Sequence, residues 1–205
     1  MGAQHREHQL VSVRYAVFAL ELCAPLTDPH LFEDLRGLVA RQPAAQGYAD
    51  KHALYDDVST VLLRYFHQFE RGCWDYFLDE GLAEEKYAEW CRGVTHGEGV
   101  RTSPSRAEGG AYRSSGEAGY LTFTVAMLVT RGSNTDDRLR EICDDCQQEL
   151  WRRPTFGLFI AALPDLNYAS VRSDVIYLIP GQDRWALTAS DLDGPRFQYL
   201  RAIQG

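Results

Sequence analysis

The sequence predicts an α+β protein with one mixed β-sheet, helices packed on that sheet, and a strand-helix-strand order in each half of the chain. Three observations lead there. A β-branched, apolar run from Leu10 to Leu20 follows a polar start, MGAQHREH. Helical spacing of apolar residues takes over soon afterwards. Near residue 118 a Gly/Ser/Arg-rich stretch, GEGVRTSPSRAEGGAYRSSGEAG, runs into the most apolar segment of the protein, YLTFTVAMLVT. That switch sets the expected organisation: an N-terminal α/β half over 1–96, a disordered linker over 97–119 and a β-rich C-terminal half over 120–205, the halves sharing one domain.

In the first strand Val11, Val13, Tyr15 and Val17 share one parity, and Ser12, Arg14 and Ala16 the other. Thr27-Asp28-Pro29 is a helix start, with Asp28 as N-cap and Pro29 at the first helical position. Leu31, Leu35, Leu38 and Val39 make the buried stripe of that helix, and Pro43 closes it. A second helix begins near Ala49. Leu54, Val58, Val61, Leu62, Tyr65, Phe66 and Phe69 give it a wide apolar face, and Gly72 is expected to end it. Cys73–Leu78 (CWDYFL) reads as a short strand, and Leu82–Cys91 as a polar amphipathic helix burying Leu82, Tyr87 and Trp90.

Beyond the linker, Tyr120–Thr130 is continuously apolar, the pattern of a strand covered on both faces. Arg131–Thr135 turns the chain and caps a helix from about Asp136 to Arg152, which Pro154 ends. TFGLFIAAL (155–163), SDVIYLI (173–179) and, after the Pro180-Gly181 turn, DRWALT (183–188) are expected as strands. The tail, SDLDGPRFQYLRAI, holds a turn and a final amphipathic piece.

With 205 residues, 45% hydrophobic and 12% aromatic, the chain can bury a real core. Its net charge of −8 argues against a nucleic-acid partner, which needs clustered cations. No apolar run approaches the roughly 18–20 residues of a membrane span. VSVRYAVFALELCA, the best N-terminal candidate, is interrupted by Arg14 and Glu21, unlike a signal peptide. Five irregularly spaced cysteines make no disulfide framework. These features predict an acidic, soluble, cytoplasmic protein with neither membrane nor nucleic acid as partner.

Cys143-Asp144-Asp145-Cys146 is the one motif with a chemical pedigree, since two thiols a turn apart can share a metal or pair with each other. Leu139, Cys143, Cys146 and Leu150 fall on one helical stripe, which favours two buried, inert thiols. A zinc site would need Cys73 and Cys91 as further ligands, at a spacing that fits no standard knuckle. His52 and His67 stand too far apart on one helix to share a metal, and His30 and His96 stand alone. No metal and no cofactor is therefore expected. Asp191-Leu192-Asp193-Gly194 reads as a turn with an Asx cap and not as a calcium loop. Asp75, Asp79, Glu80, Glu84 and Glu85 form an acidic cluster that could do acid/base work if burial split their pKa values. A solvated face is the commoner outcome.

The C-terminal half strings together GYLTFTVAMLVTRG, a Leu-anchored helix, DVIYLIPG and LTASDL. In that order it resembles the domain of unknown function numbered 1517, known chiefly from cyanobacteria and plastids. VSVRYAVFAL and DDVSTVLLRYF sit where that family has a strand and a Leu-rich helix. Leu178-Ile179-Pro180 stands where the family tends to place Trp-Thr-Pro, and TFGLFIAAL is an extra segment. The resemblance implies a fold with no assigned reaction and weighs against an enzyme.

The expected function is thus a non-catalytic protein-interaction or regulatory role with a protein partner, and self-association stays open. Trp185, which follows Asp183 and Arg184 in a short segment at a sheet edge, is the named binding residue. It reads equally as a partner's anchor or as a cover for the end of the core. The alternative is a small-ligand-binding or hydrolytic enzyme using the acidic cluster near Trp74.

Overall fold

The computed structural model describes residues 14–78, 81–95, 119–145, 149–180 and 187–205. Along the chain run β1 (Tyr15–Pro25), α1 (Pro29–Arg41), α2 (Tyr48–Arg64), β2 (Arg71–Phe77), α3 (Ala83–Thr95), β3 (Tyr120–Thr130), α4 (Asn134–Asp145), α5 (Arg153–Ala162), β4 (Val171–Ile179), α6 (Ala189–Asp193) and β5 (Arg201–Ala202). The strands form one sheet in the order β4-β3-β1-β2-β5, confirming the α+β class. Every ladder is antiparallel, where a mixed sheet was expected. The reason lies in the crossovers. One helix brings a chain back to its starting end and gives a parallel neighbour. The helix pairs α1–α2 and α4–α5 go out and back, so β2 and β4 run against the strands that precede them.

Each half therefore supplies a strand, a helix pair and an antiparallel strand. The halves join edge to edge through β1 and β3, in register from Tyr15↔Thr130 to Pro25↔Tyr120. On one face Phe18, Leu20 and Leu22 of β1 and Phe123, Val125 and Met127 of β3 pack under α1, α2, α4 and α5. On the other, Val17, Cys23, Leu128 and Ile179 lie under α3 and residues 187–200. Both central strands are buried along nearly their whole length. That was expected of β3. In β1 the sequence suggested a half-polar strand ending at Leu20, whereas it continues through Glu21 to Pro25.

Asp28 caps α1 as expected, accepting from the His30 N–H at 2.9 Å, with Pro29 in the first turn. The second helix stops at Arg64, followed by a short 3-10 turn over Phe66–Gln68. Gly72 lies inside β2 and does not end the helix. The missing Cβ matters there, because it would sit 2.6 Å from Cε1 of Phe156. In α3 the buried position belongs to Ala83, and Leu82, expected inside, is 41% exposed.

The largest departure lies between β3 and β4. Of the expected helix over 136–152, α4 is described to Asp145, residues 149–152 are not helical, and Pro154 lies in the first turn of α5 instead of closing its predecessor. TFGLFIAAL, expected as a strand, is helical. Phe156, Phe159, Ile160 and Leu163 recur at three- and four-residue spacing and are fully buried. Phe159 sits with its ring 5.3 Å from Phe18 and 4.8 Å from Trp74. Arg153 donates to the carbonyls of Phe66 at 2.7 Å and Phe69 at 3.2 Å, satisfying backbone acceptors beyond the end of α2.

Of DRWALT only Leu187 and Thr188 are described. Leu187 makes an isolated antiparallel bridge with Tyr120, and Thr188 begins a capping box with Asp191 for α6. Of the expected linker only Gly119 is described, its carbonyl accepting from Leu26 N–H at 2.7 Å. The rest of 97–119 lies outside the described residues, as does MGAQHREH.

Candidate functional site

Among the described residues Glu21, Asp136 and Asp174 have carboxylates withdrawn from solvent, and of these Glu21 lacks an evident structural reason. Asp136 opens α4, where it accepts from Gly132 N–H at 2.7 Å and from the Tyr76 hydroxyl. Asp174 of β4 faces the amine of Lys51 and accepts from Tyr55 OH at 2.9 Å. Glu21, 2% exposed in the central strand, has neither a helix N-terminus nor a cation. A carboxylate buried without compensation is costly, so the environment must favour its neutral form.

Register explains what surrounds it. Glu21 pairs with Thr124 of β3 and with Cys73 of β2, while Cys23, two residues on, pairs with Thr122. Alternation along a strand puts all five side chains on the face away from the helix pairs. From above, Tyr199 donates its hydroxyl to Glu21 Oε2 at 2.7 Å. The Thr122 and Thr124 hydroxyls lean toward the same carboxyl, yet neither closes a hydrogen bond of ordinary geometry. Trp90 of α3 meets the Tyr199 ring edge-on, with centroids 6.1 Å apart.

Burial pushes the Glu21 carboxyl above its ordinary value, against the lowering pull of Tyr199 and the two threonines. The same desolvation, reinforced by Glu21, raises the thiols of Cys23 and Cys73 to about 12. Tyr199 is raised as well, by desolvation and then by Glu21. Asp75 is raised by burial, while the Tyr76 N–H and the charge of Lys86 pull it down. The cluster is proton-retaining throughout. Cysteines in this state are poor nucleophiles, because the thiolate is the reactive form.

The structure separates several residues that the sequence grouped. Trp74 points into the helical layer, donating Nε1–H to the Leu150 carbonyl at 2.8 Å, whereas Asp75 faces α3 on the opposite side. Glu84 and Glu85 lie in the first turn of α3 and are exposed; Asp79 and Glu80 lie outside the described residues. The acidic residues therefore do not assemble around Trp74. Cys143 is half-buried against the main core, Cys146 lies outside the described residues, and Leu150 is 39% exposed beyond the end of α4. His30, His52 and His67 belong to the helical layer, and His96 is outside the described residues. Among the described residues no three His, Cys, Asp or Glu side chains could hold a metal ion together. No helix among them is long and apolar enough to cross a membrane. Trp185, Asp183 and Arg184 also lie outside the described residues, just upstream of Leu187.

Sequence reasoning treated Glu21 only as a break in an apolar run. The available signal was a lone acid with six apolar residues before it and five after it, YAVFALELCAPL, in a segment of strand character. No protein family, curated protein or solved structure matches the chain.

Proposed function

We propose that this is a non-catalytic interaction or regulatory protein of the cytoplasm, acting through a protein partner at the sheet face that carries Glu21. The observation that carries the reading is the Tyr199–Glu21 hydrogen bond, which clasps the C-terminal segment onto a buried carboxyl in the central strand. Residues 187–200 are the movable part. They attach through the Leu187–Tyr120 bridge, a small cluster of Leu192, Phe197 and Leu200 against Cys23 and Ile179, an ion pair of Asp193 with Arg71 at 3.0 Å, and this clasp. Releasing them would uncover apolar surface on the sheet, the kind of patch a partner binds. Trp185, with Asp183 and Arg184, stays the proposed partner contact at the entrance to the segment.

The sign of the pH dependence follows from the raised carboxyl. Protonated Glu21 suits its dry surroundings, and desolvation outweighs the Tyr199 hydrogen bond, which by itself favours the ionised carboxylate. Closure of the segment over Glu21 is therefore most favourable in acid and weakens as pH rises through the folded-state value. The ionisable groups around Glu21 are Tyr199 from the C-terminal segment, Cys23 from its own strand, and Cys73 and Asp75 from β2. Arg71 and Arg201 act on the two thiols, and Lys86 of α3 acts on Asp75. The protonated thiols and the absence of a described histidine on this face speak against nucleophilic catalysis there. A likeness to the domain of unknown function numbered 1517, which has no assigned reaction, is proposed on the same footing.

Hydrogen exchange over 187–200, corrected for the intrinsic effect of pH, tests the reading. Protection should fall with rising pH in the native protein and stay level in Glu21→Gln. Identical profiles in the two proteins would overturn it.

A further inference from the structure

We propose that the cleft between the α1–α2 connection and the start of β4 is a binding site for a small monocarboxylate, with Arg172 as its anchor. The cleft is open to solvent, has a volume of about 360 Å³ and lies on the helical side of the sheet, away from Glu21, so nothing in it rests on the clasp. Its size falls within the range of small-molecule sites.

One wall is already fixed. Asp174 faces Lys51, accepts from Tyr55 OH at 2.9 Å, and through its backbone carbonyl accepts from Gln42 Nε2 at 3.2 Å. The Asp174 side chain is 4% exposed and that of Lys51 19%, so this pair is part of the fold and its charges cancel. Gln46 is held too, donating Nε2–H to the Pro43 carbonyl at 2.7 Å, which leaves its amide oxygen as an acceptor. Against this ordered wall stands Arg172, exposed and lining the cleft, its guanidinium with neither an ion pair nor a hydrogen bond among the described residues.

Charge counting selects the ligand. Lys51, Arg172 and Asp174 are the only charged residues in the lining and sum to +1, in a chain whose net charge is −8. One negative charge neutralises the cleft, whereas a phosphate dianion would overshoot it. A carboxylate also matches the planar fork of a guanidinium with two parallel hydrogen bonds. Pro43 and Ala45 supply apolar contact for the remainder of the ligand, and the glutamine oxygens can accept from an N–H or O–H beside the carboxylate. These features together describe a small acid that carries an amide or hydroxyl next to its carboxylate.

The probe is N-acetylglycine, titrated into the full isotope-labelled chain at constant ionic strength, with its methyl ester and inorganic phosphate as comparisons. Saturable amide shifts at residues 42–46 and 172–175 are expected with the acid and not with the ester. Arg172→Gln should weaken binding by about tenfold or more, the scale of one lost charged hydrogen-bond pair, while leaving the spectrum folded. The proposal is overturned if the acid gives no saturable shift, if the ester or phosphate binds as tightly, or if Arg172→Gln binds unchanged.

Discussion

Replacing Gly72 with alanine probes the packing that most contradicts the sequence-based expectation. The added Cβ would lie 2.6 Å from Cε1 and 3.0 Å from Cζ of Phe156, and 3.1 Å from the Glu21 carbonyl oxygen. Phe156 is fully buried in α5, so its ring cannot swing into solvent, and the third contact is backbone. Overpacking of this kind costs about 1–3 kcal/mol. The usual gain from restricting the unfolded chain, about 0.4–1 kcal/mol, offsets only part of it. At roughly 2–4 °C per kcal/mol for a chain of this size, Gly72→Ala should lower Tm by several degrees. Gly157→Ala is the control. Its Cβ meets Phe66 Cε1 at 3.4 Å, an ordinary contact, in the middle of α5. Helix propensity should then raise stability by up to about 1 kcal/mol. Thermal unfolding by circular dichroism reads both variants. An unchanged or higher Tm for Gly72→Ala would refute the placement of Phe156, and with it the helix that presents it.

Phe159→Ala should cost about 3–5 kcal/mol in denaturant unfolding, because the ring is fully buried against Phe18 and Trp74. A protein cut within 97–118 should still elute as one particle on gel filtration, since β1 and β3 pair along their full length across the two halves. Cys23 and Cys73 should resist alkylation at neutral pH in the native protein and react on denaturation, because their thiols are raised to about 12. Thr188→Ala should cost about 1 kcal/mol by removing the capping box of α6, read as a lower denaturation midpoint.

What was legible in the sequence was local. The Asp28-Pro29 start of α1 needs only a side-chain acceptor and a fixed φ, and both can be read from two letters. Continuous apolarity identified β3 as a strand covered on both faces. TFGLFIAAL misled because a nine-residue apolar run fits a buried strand and a buried helix alike. Pro154 was the deciding letter: in the first turn of a helix it is favourable, and as a terminator it merely looks plausible. The same misreading extended α4 to Leu150–Arg152, which are not helical, and placed Leu150 on a stripe it does not share. Gly72 misled for a different reason, since its role depends on Phe156, 84 residues away in the chain. Long-range register also hid the candidate site. Glu21, Thr124 and Cys73 come together only through two ladders, and Tyr199 reaches them from the far end of the chain. Arg172 and Lys51 likewise share a cleft only because α1 and α2 fold back beside the edge strand β4.

Carbon-detected NMR of the protein labelled at its glutamates most directly tests the central claim, that Glu21 stays protonated beneath the C-terminal segment whose Tyr199 hydroxyl donates to it. Burial raises this carboxyl above its ordinary value of 4.5, so its stabilising neutral form is fully present below that value and is lost as pH rises through the folded-state one. One glutamate resonance, absent from Glu21→Gln, should therefore stay protonated after the exposed glutamates have ionised, and residues 187–200 should shift as it titrates. If Glu21 ionises together with the exposed glutamates, or titrates without moving residues 187–200, the clasp is not what holds this face closed.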